Sequence, residues 1–408
     1  MIYDVLIVGG GPVGATLGAL LVRERAGRVL LLEREATPPA DSAPELRVVA
    51  LSRASERILA AAGVWPALQS ASTALQPYER MHVWPETVEP RGEGALTFDA
   101  AELAEPNLGY IAGYGVLQRA ALAAFIAQGG IVGAAAVQDL EFDTDCVRVR
   151  SSGETFAARL VVGADGGRSK VREAAGLGLA MQDYGQLGLV ANVRSERPHE
   201  RTAWQRFLGE GTLALLPLPD GQSSIVWSLP IARAQALLAA PAAEFNEALT
   251  AASASVLGKL ELASGPLSFP LRRLSAPAYA RERCALLGDA AHVVHPLAGQ
   301  GVNLGFLDAA ALAQCLLEAS IEHEDLGALR VLRRYERWRK GENEAMGLAM
   351  DLFNRFLAFG RDPLGGWAAR GLGFVGRNAW LRQMFATRAL GLASAGGFTA
   401  AGRSSPRK

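Results

Sequence analysis

The chain is poor in the residues that build cross-links and metal centres: its 408 residues include only 3 cysteines and 5 histidines. Cys146, Cys284 and Cys315 stand far apart with no C-x-x-C spacing. That excludes a disulfide framework or a zinc cage and fits a reducing, cytoplasmic compartment. His292 and His295 flank a loop at Pro296 with no acidic or thiol ligand beside them, so no metal is expected. No Ser-His-Asp constellation can be assembled. An excess of one charge is also missing, since 41 basic residues balance 41 acidic ones, and no nucleic-acid partner is expected. Nothing repeats at a fixed period. Uninterrupted apolar runs of membrane-spanning length are lacking too. Residues 5–22 are broken by glycines and Pro12, and residues 120–138 by Gln128-Gly129-Gly130, so neither reads as a transmembrane helix or a signal peptide.

Glycine, by contrast, is abundant and placed. Residues 3–8 read as a short buried strand that runs into Gly9-Gly10-Gly11-Pro12-Val13-Gly14 and then a helical Ala/Leu stretch. A second apolar run, residues 29–32, ends at Glu33. Strand, glycines, helix, strand and acid at this interval form a dinucleotide-binding fingerprint. Gly9 makes the tight turn, Gly11 lets the backbone approach a pyrophosphate, Gly14 permits close helix–strand packing, and Glu33 accepts from the adenosine ribose. Pro12 loses nothing in the first helical turn, where its missing N–H would have no partner. The phosphate would sit at the positive end of the helix dipole. Gly371-Leu372-Gly373-Phe374-Val375-Gly376 matches the same pattern, but no strand precedes it. It reads as a helical or loop segment.

Residues 286–306 carry the second signal. An apolar strand ends at Gly288-Asp289, so the carboxylate emerges at the carboxyl edge of a sheet, where open α/β folds bind ligands. His295, Pro296, Gly299, Gly301 and Asn303 follow, leading into a helix over 302–318 whose free N–H groups could stabilise the anionic edge of a reduced flavin. A helix-capping aspartate is the plainer reading of Asp289. The third signal, Gly163-Ala164-Asp165-Gly166, follows a strand and precedes a helix; a turn with an N-cap is its plainer reading. Residues 48–62 read as one helix. The region from about 185 to 275 reads as a run of strands, interrupted by a helical stretch over 233–258, and suggests an antiparallel sheet inserted into an α/β framework.

These motifs, in this order, resemble the FAD-dependent aromatic monooxygenases of the para-hydroxybenzoate hydroxylase type, and within them the ubiquinone-biosynthesis hydroxylases. The stretches 47–52, 108–111, 116–119 and 288–308 carry the resemblance, above all Pro-Leu-Ala-Gly-Gln-Gly-Val-Asn-Leu-Gly at 296–305. It implies an FAD-binding Rossmann-like domain of the glutathione reductase type (1–76, 108–178, 276–340). It further implies an inserted antiparallel-sheet substrate domain (77–107, 179–275) and a helical C-terminal region (341–408). It also implies that NAD(P)H reduces FAD, that O2 adds at flavin C4a, and that the hydroperoxide hydroxylates a polyprenylated phenol or quinol ring. Arg47 and Gln118 would then contact the pyrophosphate and ribitol, Asp289 the ribitol or pyrophosphate, and Asp165 the pyridine-nucleotide and pyrophosphate region. Pro296 and residues 299–303 would line the isoalloxazine. His295 could orient or deprotonate a substrate hydroxyl. Leu215, Leu216, Trp227 and Phe269 are candidates for an apolar wall that excludes water, though they could equally be core. The chain departs from the family at Gly113-Tyr114, where an acidic residue and an asparagine are usual, and at Val293-Val294, where Thr-Ile is usual.

The balanced charge is unevenly placed. Residues 330–408 hold 15 basic and 5 acidic residues, a net of +10, which leaves −10 for residues 1–329. Aromatic and aliphatic residues interleave with arginines over 345–394. That pattern suits either a helix on an anionic membrane surface or helices covering the nucleotide domain. A peripheral position on the inner face of the membrane, beside other quinone-biosynthesis proteins, is the expectation drawn from the first.

Overall fold

The computed structural model describes residues 1–34, 46–70, 75–151, 153–294 and 300–358. From the N-terminus, β1 (Ile2–Val8) leads into α1 (Pro12–Arg23) and β2 (Val29–Glu33). Next come β3 (Val48–Ser52), α2 (Arg53–Ala61), α3 (Trp65–Ser70), β4 (Leu75–Tyr78), β5 (Arg80–Pro85), β6 (Leu96–Asp99), β7 (Gly109–Gly113) and α4 (Tyr114–Ala127). The chain continues through β8 (Ile131–Ala134), β9 (Val137–Phe142), β10 (Val147–Ser151), β11 (Glu154–Gly163) and α5 (Lys170–Ala174). Then follow β12 (Ala180–Ser195), β13 (Thr202–Leu208), β14 (Gly211–Pro217), β15 (Ser223–Pro230), α6 (Ile231–Ala239), α7 (Ala242–Ala252), β16 (Leu260–Leu262) and β17 (Leu267–Ser275). The last elements are β18 (Ala280–Arg281), β19 (Cys284–Leu286), β20 (His292–Val293), α8 (Gln300–Ile321) and α9 (Leu329–Ala358).

The nucleotide sheet runs β18-β19-β11-β1-β2-β8, and its β19-β11-β1-β2-β8 stretch is parallel throughout. A parallel sheet covered on both faces needs continuous apolar strands. Val5, Leu6, Ile7 and Leu30 to Leu32 supply them at 5% exposure or less. Because β1 lies between β2, reached through α1, and β11, which returns much later, the strand order reverses at its carboxyl end. Open α/β sheets form their ligand crevice at such a point.

The second sheet, ordered β20-β17-β12-β15-β14-β13-β5-β6, is mixed rather than antiparallel, because β13 and β5 pair in parallel. The long excursion through the first domain between β5 and β13 brings β5 in from the same end. The helical stretch expected over 233–258 is two helices, α6 and α7, parted by Pro241 at the start of the second. One expectation fails outright: residues 48–52 are strand, not helix. Val48 to Ser52 pair with Gly113 to Gly109 in a three-stranded sheet, and Ser52 caps α2 through Ser55 N–H. The apolar run Val-Val-Ala-Leu fits either period, and cross-strand pairing with β7 decides it.

α8 is long and apolar enough to cross a membrane, yet 67% of its apolar window is buried inside the molecule, where it packs on α1 and α9. It is a core helix. The second glycine pattern at 371–376 and most of the basic, aromatic C-terminal segment lie outside the described residues.

Candidate active site

The N-terminal glycines divide by what surrounds them. Gly9 has φ +108°, and a Cβ there would sit 2.4 Å from Ala164 O. A Cβ on Gly14 would sit 2.2 Å from Gly9 O. Both therefore serve the close packing of β1, α1 and the turn after β11. Gly11 is different: its Cβ would meet only the Tyr114 hydroxyl, at 3.3 Å. Gly11 is the N-cap of α1 with no side-chain cap, and Pro12 follows it. The first-turn N–H groups of α1 thus open on the one side of the loop that backbone does not fill, which is a ready anion site. Glu33 is held at the loop by Gly10 N–H (2.6 Å to Oε2) and Arg34 N–H (2.7 Å to Oε1). A carboxylate has about four lone-pair sites, so acceptor capacity remains for ribose hydroxyls. Gln118 donates from Nε2 to Gly10 O at 3.0 Å, and the Arg47 guanidinium stacks over the Tyr114 ring, 3.7 Å from its centroid.

Gly288 and Asp289 lie in a 3-10 turn directly after β19. A Cβ on Gly305 would lie 2.7 Å from Val13, and Gly288 borders both residues, so α8, α1 and this turn meet with no room for a side chain. Asp289 keeps open surface although protein surrounds most of its carboxyl group. Burial raises its pKa, and the charges of His292 and Arg47 only partly offset this.

Asp165 is used by its own helix. Its carboxylate accepts from Ser169 Oγ (2.5 Å) and from the N–H groups of Lys170 (2.7 Å) and Val171 (3.3 Å), the plainer of the two readings. The residue that ties this motif to the next is Arg172, which donates to Gly167 O (2.9 Å) and Ala290 O (2.8 Å).

Asn303, 4% exposed, donates from Nδ2 to Ala50 O (2.7 Å), while its Oδ1 accepts from Ser52 N–H (2.9 Å) and Ser55 Oγ (2.6 Å). Its carboxamide therefore pins the start of α8 to β3 and α2, and it orients the helix end that Gly301 opens. His295, Pro296 and Gly299 lie outside the described residues. One turn further along α8, Asp308 is fully buried. It accepts from Gly288 N–H (3.1 Å) and His292 Nε2 (2.5 Å) at Oδ2, and from Arg339 Nε (2.8 Å) and Asn343 Nδ2 (3.0 Å) at Oδ1. Burial alone would raise its pKa, but His292, Arg339 and Asn343 together hold it well below the usual carboxylate range.

Register separates the wall candidates. Leu213, Leu215, Ile225, Trp227, Leu189 and Ala191 share one face of the large sheet and pack under α6 and α7, so Leu215 and Trp227 are core. The opposite face presents Val190, Ala214, Val226 and Leu216 half-buried. Leu216 packs with Ala50, Val48, Ile111 and Tyr78, beside the strand that Asn303 grips. Phe269, 39% exposed, pairs with Gly188 on this same face.

Sequence reasoning missed Arg172, Asp308 and the Arg47–Tyr114 stack. Asp308 had a signal, being the one charged residue among 301–317. The other two depend on distant packing.

The described cradle fits a dinucleotide whose pyrophosphate meets α1 and whose far end reaches α8. Comparison with known proteins agrees. The family model described as "FAD binding domain" matches residues 2–345. The 3-demethoxyubiquinol 3-hydroxylase of Escherichia coli is 36% identical over 397 residues, 95% of this chain and 98% of that protein. The ubiquinone hydroxylase UbiL of Rhodospirillum rubrum is 35% identical over 393 residues, covering 96% and 90%. Among solved structures, p-nitrophenol 4-monooxygenase from Pseudomonas putida superposes with a TM-score of 0.76 at 20% identity, covering 95% of this chain and 98% of that one, which shows a shared fold.

Proposed function

This chain belongs to the FAD-binding domain family of flavin-dependent monooxygenases, and from that premise we propose that it hydroxylates the ring of a polyprenylated phenol or quinol in ubiquinone biosynthesis, using NAD(P)H and O2. The observation that carries the reading is the half-buried apolar sheet face, Val190, Ala214, Leu216 and Val226, lying next to the start of α8. Bound FAD, once reduced by NAD(P)H, supplies the activation of O2 that no side chain can provide.

The protein's part is holding and shielding. Gly11, the α1 terminus, Arg47 and Gln118 would hold the pyrophosphate, Glu33 the ribose, and Asp289 the ribitol. Asn303 fixes the end of α8, so that its first-turn N–H groups would present a preorganised positive end to a bound flavin. Leu216, Ala214 and Val226 exclude water from the ring to be oxidised, which protects the activated oxygen from wasteful decay. An aliphatic wall also suits a lipid-soluble substrate. Such a substrate resides in a bilayer, and the basic segment after α9 would meet its anionic cytoplasmic surface.

The purified, FAD-loaded protein should consume O2 with NAD(P)H in step with a hydroxylated product when given a prenylated phenol, detected as a mass gain of one oxygen. NAD(P)H oxidation that never yields hydroxylated product from any phenol or quinol would refute the assignment.

A further inference from the structure

Tyr114 is the first residue of α4, directly after β7, and the surroundings of its side chain point to a role. Val48 pairs with Gly113 at the end of the β3–β7 ladder, so Arg47 and Tyr114 face each other one step beyond it. Tyr114 N–H continues the ladder by donating to Arg47 O at 2.9 Å. Directly opposed residues of antiparallel strands project to the same face, which is why the guanidinium lies over the phenol ring, 3.7 Å from its centroid. Stacking uses the flat face of the guanidinium and leaves its N–H groups in the plane for an anion. The phenol hydroxyl, in turn, stops 3.3 Å from where a Gly11 Cβ would stand. That is the side of the phosphate loop left open by the missing side chain.

We propose that Tyr114 is a cofactor-binding residue: its hydroxyl donates to the FAD pyrophosphate at the Gly11 turn, and its ring holds the Arg47 guanidinium beside the same phosphates. The pair thus builds the pyrophosphate site from a stacked cation and a phenol donor, both anchored by one strand end. The proposal rests on the FAD reading and extends it to a further residue of the pyrophosphate site.

The test is titration of apoprotein with FAD, following flavin fluorescence, for wild type, Tyr114→Phe, Tyr114→Leu and Arg47→Ala. Losing one hydrogen bond to a charged group should weaken FAD binding by about 10- to 100-fold in Tyr114→Phe. Tyr114→Leu should be weaker still, and combining it with Arg47→Ala should cost less than the product of the two single effects. Riboflavin has no pyrophosphate, so its weaker binding should be the same in wild type and Tyr114→Phe. Wild-type FAD affinity in Tyr114→Phe would overturn the proposal, as would tighter binding in either Tyr114 variant, which would mean the side chain obstructs the loop. Equal losses for FAD and riboflavin with a lowered apoprotein midpoint would make the role one of packing only. A wild-type protein that binds no FAD would instead sink the flavin reading itself.

Discussion

Replacing Asp308 by asparagine should loosen two distant parts of the molecule at once. The carboxylate has no exposed surface and accepts four hydrogen bonds, from the Gly288 turn, from His292, and from Arg339 and Asn343 on α9. Asparagine keeps the shape but removes the charge, and its amide nitrogen turns a donor toward groups that are already donors. Among the described residues, Arg339, 1% exposed, then keeps Glu342 and Asn343 as side-chain partners. Breaking a buried ion pair from one side costs about 3–5 kcal/mol. The partly exposed Glu342 softens this, so about 3 kcal/mol is expected, read from the urea midpoint at constant slope. Arg339→Met should cost less, because Asp308 retains His292 and Asn343 while the apolar side chain fills the space. The effect should also have a specific pH form. The folded-state pKa of Asp308 is depressed, so its contribution is complete above the unfolded value of about 3.9 and is lost only as pH falls below that. The part of the gap between wild type and Asp308→Asn that comes from the Asp308 proton should therefore be flat from about pH 5 upward. Hydrogen exchange should rise both around residues 284–294 and in α9. An Asp308→Asn protein within ~1 kcal/mol of wild type, with exchange unchanged in both regions, would refute the reasoning.

The phosphate-loop glycines should separate folding from cofactor binding. Gly14→Ala would drive a Cβ to 2.2 Å from a backbone oxygen and should destabilise the apoprotein by about 1–3 kcal/mol, whereas Gly11→Ala should melt like wild type yet release FAD on gel filtration. Identical melting of Gly14→Ala and wild-type apoprotein, or full FAD retention by Gly11→Ala, would contradict the division. The basic segment is open to liposome flotation: the full chain should float with anionic vesicles at low salt and stay behind in a variant ending at residue 360. Equal flotation of the two would place any membrane contact elsewhere.

The first βαβ unit was legible because each part has its own local cause: a buried apolar strand, glycines without room for a Cβ, and an acid at the end of β2. The second sheet was legible from alternation along β13, β14 and β15. Residues 48–52 were not, since Val-Val-Ala-Leu suits a helix as well as a strand and only β7, some sixty residues away, selects between them. Sequence could name Leu215 and Leu216 as apolar but could not say which faces the helices, because parity in a strand is fixed by its partners. Asp165 and Asn303 carried chemical expectations, and the structure shows both engaged in backbone-holding bonds. A polar residue's job depends on what lies within 3 Å, and spacing alone cannot supply that. Arg172 and Asp308, which bind the motifs to one another, follow from packing between segments 118 and 20 residues apart, respectively.

The two faces of the large sheet also bear on how such a protein can change its substrate. Along β14 and β15 the odd-numbered side chains, Leu213, Leu215, Ile225 and Trp227, hold α6 and α7 in place, while the even-numbered Ala214, Leu216 and Val226 look the other way. Exchange of bulk at the even positions leaves the helix-packed core untouched, so the shape presented to an incoming ring can drift while the scaffold keeps its stability. A sheet divided in this manner behaves as a fixed frame with an interchangeable lining, and selection for a new aromatic substrate would be expected to write its record on alternate residues.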